Sequence, residues 1–338
     1  MRRRESFVAS LGLLVLGGMV AGFFARAAVA PKTAEKSNMD LVGYNDLQNR
    51  SAYQPVVHKQ GERWIAYVGH HGGEALNPLT GKMEPNGTSV VDVTDPKHPK
   101  YLAHIPGEAA MPNVPGETGG AQMVRVCDGS ELPHADKSKV YLLRPFGMTA
   151  HEVWDVSNPA APSRVTVVVS GLRESHKSWW ECDTGIAYLV SGAPGWKAKR
   201  MTLIYDLSDP AKPVFIRSFG LAGQQPGATG AVPSDLHGPI STGPKGNRVY
   251  FAYGPGGDGV IQIVDREKLL KGPKEPTEQN LLYPQIARVD LPSEVGAHTA
   301  FPMLGVAVPE LAKQKSEKPR DFLMVPGETF DNECQASR

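Results

Sequence analysis

The chain has 338 residues, a formal net charge of +1, 36 glycines, 29 prolines and 3 cysteines. Near-neutrality gives no electrostatic basis for binding nucleic acid or an anionic membrane surface. So much glycine and proline suits many short strands joined by turns rather than long helices, and the length is ample for a sizeable core.

Residues 1–30 read as a signal peptide. A basic "MRRRESF" precedes the uncharged apolar run "VASLGLLVLGGMVAGFFA". Small-x-small cleavage patterns follow at Ala25-Arg26-Ala27 and at Ala28-Val29-Ala30, the latter disfavoured by Pro31. Such a run falls short of, or only just reaches, a spanning length. Export with cleavage is therefore expected, to the periplasm or the cell exterior, leaving no stable membrane span. The residues do not separate general from twin-arginine export. Residues 31–52 form a polar linker, and a β domain is expected over 53–338.

Within that domain one strand–turn–strand passage recurs: "VDVTDPKHP" at 91–99, "WDVSNPAAP" at 154–162 and "YDLSDPAKP" at 205–213. A degenerate copy, "IQIVDREKLLKGP", stands at 261–273. Asp and Ser/Thr side chains accept hydrogen bonds from nearby backbone N–H groups and close the turn. The first proline sets φ for its second position, and the second opens the next strand. The repeating acids are Asp92, Asp155, Asp206 and Asp265. Short helices are expected only near 266–272 and 309–319.

Upstream of the copies lie strands ending in glycine-rich loops: "RWIAYVGHHGG", "KVYLLRPFG", "GIAYLVSGAPG" and "RVYFAYGPGGDG". "DFLMVPGETFDNE" is a fifth. Further upstream, "AYQPV", "GAQMV", "ESHKS", "DLHGP" and "GAHTA" place Gln54, Gln122, His176, His237 and His298 at one matched position, in steps of 68, 54, 61 and 61 residues. Four short strands per step predict a β-propeller of four-stranded blades. About five blades are visible, the last incomplete because the chain stops before its aliphatic–Asp strand. Such a ring is expected to be truncated at its C-terminal side, with ring closure by the first strand region as the alternative.

The passages "VVDVTDPKHP", "EVWDVSNPAAP" and "LIYDLSDPAKP" resemble the LVIVD repeat of exported bacterial proteins. The resemblance covers nearly everything from about residue 53 to 338. It implies a β-propeller and says little about activity.

In a propeller the innermost strands line a central channel. The five matched residues then form an arc at one mouth, on the face that carries the glycine-rich loops with His70, His71, His151, Trp196 and Asp258. The candidate ligand-binding set is Gln54, Gln122, His176, His237, His298, His70, His71 and His151. Three inward imidazoles, His176, His237 and His298, suit a copper or zinc ion, with hydrogen bonding in a water-filled channel as the alternative. Adjacent His70 and His71 face opposite ways on an extended segment, so they do not chelate together. "GPGGDG" at 254–259 reads as a turn, lacking the Lys-Ser/Thr of a phosphate loop. Trp179 and Trp180 are expected to give one ring to each inter-blade interface. Export permits disulfides, but Cys127 and Cys182 end the first strands of neighbouring blades, where the gap can exceed the bridging limit of about 7 Å; Cys334 is odd in any pairing unless its partner lies in a missing segment, so the pairing stays open.

No nucleophile motif or paired-carboxylate set emerges. The leading expectation is therefore an exported propeller that presents its channel face to a protein or small-molecule ligand without catalysis. The alternative is a copper- or zinc-dependent oxidoreductase or hydrolase with a histidine cluster at the channel mouth. That alternative resembles the propellers of nitrous oxide reductase and methanethiol oxidase only in a histidine-rich channel face, with no motif matched.

Overall fold

The strands follow the repeat. A computed structural model describes residues 37–111, 118–308 and 318–328. The first sheet begins with β1 (Tyr53–Gln60) and β2 (Arg63–Gly69). A separate hairpin, β3 (Glu74–Asn77) and β4 (Lys82–Pro85), precedes its remaining strands, β5 (Gly87–Asp92) and β6 (Lys100–Pro106). The second sheet is β7 (Arg125–Asp128), β8 (Val140–Phe146), β9 (Ala150–Asp155) and β10 (Ser163–Val169). The third is β11 (Ser178–Trp180), β12 (Ile186–Ser191), β13 (Met201–Asp206) and β14 (Val214–Phe219). The fourth is β15 (Leu236–Ser241), β16 (Arg248–Tyr253), β17 (Val260–Asp265) and β18 (Gln285–Asp290), with helices α1 (Gly243–Gly246), α2 (Arg266–Lys271) and α3 (Glu278–Leu282) in its connections. Strands β19 (Phe301–Val306) and β20 (Arg320–Met324) make a two-stranded sheet.

Each four-stranded sheet is an antiparallel meander in chain order, apart from the hairpin inserted before β5. The second strands are the most buried: β12 is buried throughout and β16 at all but its first residue. A strand covered on both faces reads as a continuous apolar run, as "IAYLVS" and "VYFAY" do. The last strands, β6, β10, β14 and β18, are largely exposed or half-buried. First strands meet one another, β1 against β7, β7 against β11 and β11 against β15. The sheets thus face one another in chain order around their first strands. The described sheets do not close a ring; the fold is mostly β, built of separate antiparallel sheets, four of them four-stranded and the last two-stranded where an incomplete unit was expected.

The Asp turns form as local chemistry dictates. Carboxylates of Asp92, Asp155 and Asp206 accept from the N–H of Thr94, Ser157 and Ser208 at 2.9, 3.0 and 2.8 Å. Where the fourth copy lacks its Asp-Pro, Asp265 instead caps α2, accepting from Lys268 N at 2.9 Å.

Buried polar struts join neighbouring sheets. Arg144 on β8 pairs with Glu152 at 2.6 Å and donates to the Ile105 and Pro106 carbonyls of the first sheet at 2.8 and 2.6 Å. Glu181, after β11, takes Arg266 from the fourth sheet at 2.5 Å and the Tyr188 hydroxyl at 2.9 Å. Between the second and third sheets a disulfide joins Cys127 to Cys182, with Cα atoms 5.4 Å apart. This settles the open pairing: first strands are the ones that approach each other, so equivalent positions at their ends come within bridging reach. Helix α2 matches the short helix expected near 266–272. The signal peptide at 1–30, residues 309–317 of the second expected helix, and Cys334 lie outside the described residues. No helix among the described residues is long and apolar enough to cross a membrane.

Candidate functional site

Three histidines converge from three sheets. His176 precedes β11, His237 lies on β15 and His298 precedes β19. The rings of His176 and His237 stand 4.7 Å apart centroid to centroid, and those of His237 and His298 4.1 Å apart. The first strands crowd together, which lets side chains 61 residues apart in sequence touch.

Their outer partners fix the tautomers. The His176 Nδ1 lies 2.6 Å from the Gln122 amide, which as placed presents Oε1, an acceptor, so His176 carries its proton on Nδ1. The His237 Nδ1 donates to the His298 carbonyl at 2.7 Å. The His237 ring therefore presents a bare Nε2, and with the Gln122 amide placed so His176 does too, the two nitrogens facing each other at 3.0 Å; the turned amide would instead leave His176 Nε2 a proton to donate to His237. Two like lone pairs at that distance repel unless a cation lies between them. Protons do not fill the role at neutral pH. Burial holds His176 well below the ordinary imidazole range, pushes His237 down to about 2 and His298 to about 4, with the neighbouring Lys177 charge adding to the effect.

The cluster has further members that the sequence pattern did not single out. Glu328, beyond β20, brings a carboxylate oxygen 3.7 Å from His237 Nε2. Ligating atoms of His237, His298 and Glu328 all lie within 4.8 Å of one another, compact enough for one metal ion. Lys177 places its ammonium 2.8 Å from His298 Nε2 and 5.9 Å from the Tyr53 ring. Tyr53 stands 6.4 Å from the His176 ring. The only signal for these residues was adjacency to a matched position, Lys177 beside His176 and Tyr53 beside Gln54.

The other candidates separate. Gln122 holds His176 as described. Gln54, in a left-handed conformation with φ of 41°, lines a cavity of about 290 Å³ below the cluster instead of meeting the imidazoles. An irregular register between Tyr53 and Val56 puts the Tyr53 ring where the matched side chain was expected. His71 packs against Tyr53 with the rings tilted and their centroids 4.8 Å apart. His70 and His151 do not join the cluster. His70 is fully buried between the Ser51 carbonyl and the Ser89 hydroxyl, and His151 between Ser178 and Ser191. The loop residues Trp196 and Asp258 also serve the framework: Trp196 is buried in the core and Asp258 accepts the Ser234 hydroxyl on its carbonyl. Trp180 enters the core, whereas Trp179 lines the cavity with the Arg125 guanidinium 5.0 Å above its ring, so the pair does not serve two sheet interfaces equally.

No family model matches the chain, and no characterised protein matches its sequence. Its fold is similar to parts of several solved structures. Raptor from Chaetomium thermophilum aligns over 82% of this chain at 11% identity and a TM-score of 0.46. An exo-β-1,3-galactanase from Phanerochaete chrysosporium aligns over 75% at 11% identity and a TM-score of 0.40. A glycosyl hydrolase from Bacteroides ovatus aligns over 80% of this chain and 76% of its own at 10% identity and a TM-score of 0.37. The chain spans 21% of the Raptor chain and 54% of the galactanase.

These findings correct the leading expectation of a non-catalytic binding face. Several of the similar structures bear glycosidase or glycosyl hydrolase titles. At such scores the likeness brings neither an activity nor a substrate to this chain; the geometry of its own residues has to supply the chemistry.

Proposed function

We propose that the chain is an exported β-propeller of the LVIVD-repeat kind whose channel mouth holds one zinc or copper ion and uses it for hydrolysis. The observation that carries this reading is the pair of Nε2 atoms facing each other at 3.0 Å, each ring oriented by a hydrogen bond at its other nitrogen. Metal-bound histidines are commonly oriented in that way. Two nitrogens each about 2.0–2.1 Å from one ion in neighbouring coordination positions fall about 3 Å apart. His298 supplies a third imidazole, and the Glu328 carboxylate stands beside the three rings. All-imidazole and carboxylate donors suit zinc or copper.

Such an ion supplies a Lewis acid that polarises a substrate oxygen and brings the pKa of a water toward neutrality. This chain's residues do the rest. Gln122 and the His298 carbonyl hold the rings, Glu328 accepts a proton from the attacking water, and Lys177 stabilises developing negative charge. Hydrolysis is the favoured chemistry because a carboxylate base stands beside the histidines.

Metal analysis of the purified protein, followed by zinc and copper titration against a competing chelator, tests the reading. About one ion per chain is expected, with hydrolysis of 4-nitrophenyl acetate lost on chelation and restored by zinc. A protein that neither carries nor takes up either metal overturns it.

A further inference from the structure

The cavity under the histidines has a charge pattern that the metal does not explain. Its volume is about 290 Å³, near the lower end of small-molecule sites. Met123, Arg125, Lys177, Trp179, Ile240 and Phe301 line it, one to three positions beyond the cluster residues along the chain. The lining holds two cations and no carboxylate.

Arg125 is the telling residue. Its Nε donates to the Ser178 carbonyl at 2.9 Å and its plane lies over Trp179, which fixes the direction of the fork. Among the described residues no carboxylate pairs with it, and burial alone lowers its pKa to about 10, leaving it charged at neutral pH. A guanidinium without a counter-charge beside a cavity is costly unless an anion completes it. Arg144 and Arg266, which join sheets, each have a glutamate, whereas the buried Arg217 donates to the Leu269 carbonyl without one and lines no such cavity. Arg200 near the cluster is likewise paired, to Glu174 at 3.4 Å. Lys177, the second cation of the lining, also places its ammonium 2.8 Å from His298 Nε2.

We propose that this cavity takes a small carboxylate with a flat apolar body, the carboxylate on the Arg125 fork with Lys177 nearby, and the body among Trp179, Met123, Ile240 and Phe301. A planar guanidinium matches a carboxylate with two parallel hydrogen bonds, and the apolar lining selects an organic anion over an inorganic one. The proposal deepens the metal reading by naming the class of its substrate; the anion site itself stands on the cavity residues.

Benzoate is the probe, with benzamide as its neutral counterpart and inorganic phosphate as the apolar-free anion. Calorimetric titration uses the full chain after zinc removal with a chelator. Benzoate is expected to bind at least about tenfold more tightly than benzamide or phosphate, since a hydrogen bond to a charged group contributes about 1.5–3 kcal/mol. Arg125→Gln should weaken benzoate about tenfold or more and leave benzamide unchanged. Ile240→Trp fills the cavity while keeping both cations and the Arg125–Trp179 stack, and should abolish benzoate binding even if Arg125→Gln folds poorly. His237→Ala should lose zinc yet keep benzoate, which separates failure of the metal reading from failure of this one. Equal affinity for benzoate and benzamide, equal affinity for phosphate, or undiminished benzoate binding by both cavity variants overturns the proposal.

Discussion

His151 and His237 are both buried imidazoles on strands of this fold, and they have opposite fates. His151 sits with each ring nitrogen near a serine hydroxyl, Ser191 at 2.9 Å and Ser178 at 3.4 Å. A hydroxyl donates or accepts by rotating, so any neutral tautomer is satisfied there. His237 has one nitrogen committed to a carbonyl and the other aimed at Nε2 of His176. A serine neighbour makes a buried histidine structural. An imidazole neighbour at the second nitrogen makes it, on the proposed reading, a candidate metal ligand. Burial and residue type are shared, so the partner at the second nitrogen is what distinguishes a framework group from a site.

Acid should act on the framework side of this comparison through His151. Burial lowers the His151 pKa from the ordinary 6.5 to about 4. The unfolded chain therefore binds a proton that the folded chain refuses, and the stability present above pH 6.5 is lost as pH falls from there to about 4. The loss reaches about 3 kcal/mol for this residue alone. Urea unfolding of wild type and His151→Gln at pH 7.5 and pH 4 should show a shallower pH dependence in the variant. Parallel pH profiles would remove His151 from the acid-sensitive framework.

The ligand side responds to metal instead. His237→Ala should weaken zinc or copper by at least about a hundredfold, equivalent to about 2.7 kcal/mol. Its metal-free melting temperature should fall less than that of His151→Ala, because the substitution also removes a repulsive contact. Chelator-competition titration and thermal melts together check both halves. If His151→Ala lost metal and His237→Ala did not, the contrast would be inverted.

Gln122 tests whether orientation matters as much as ligation. Gln122→Leu frees the His176 Nδ1 and lets the ring turn or change tautomer. Metal affinity should drop about tenfold with the fold intact, in the range found for residues that orient metal ligands. An affinity within about twofold of wild type would mean that packing alone holds the ring.

The smallest effect lies far from either set of histidines. Asp206→Ala removes the acceptor for Ser208 N and should cost about 1 kcal/mol of stability, measured by urea unfolding, without changing metal affinity. A change in metal binding would show that the turn and the cluster are coupled.

The sequence determined what depends on neighbours within a few residues. Asp92, Asp155 and Asp206 close their turns with the N–H two residues on, so the turns were legible from the residues themselves. The second strands were legible as unbroken apolar runs, and α2 as a short helix after Asp265. Equal spacing also put His176, His237 and His298 at one position of successive units. Only the tertiary structure decided which polar groups meet. It placed Tyr53 where Gln54 was expected, through an irregular register at the start of β1. It brought Glu328 and Lys177 to the histidines, turned His70 and His151 into framework, and joined Cys127 to Cys182. The reason is one of range. A turn hydrogen bond spans two or three residues and is written in their identities. A contact between first strands of different sheets depends on how closely those strands pack and how each one twists, and a one-residue slip in register changes the side chain that arrives.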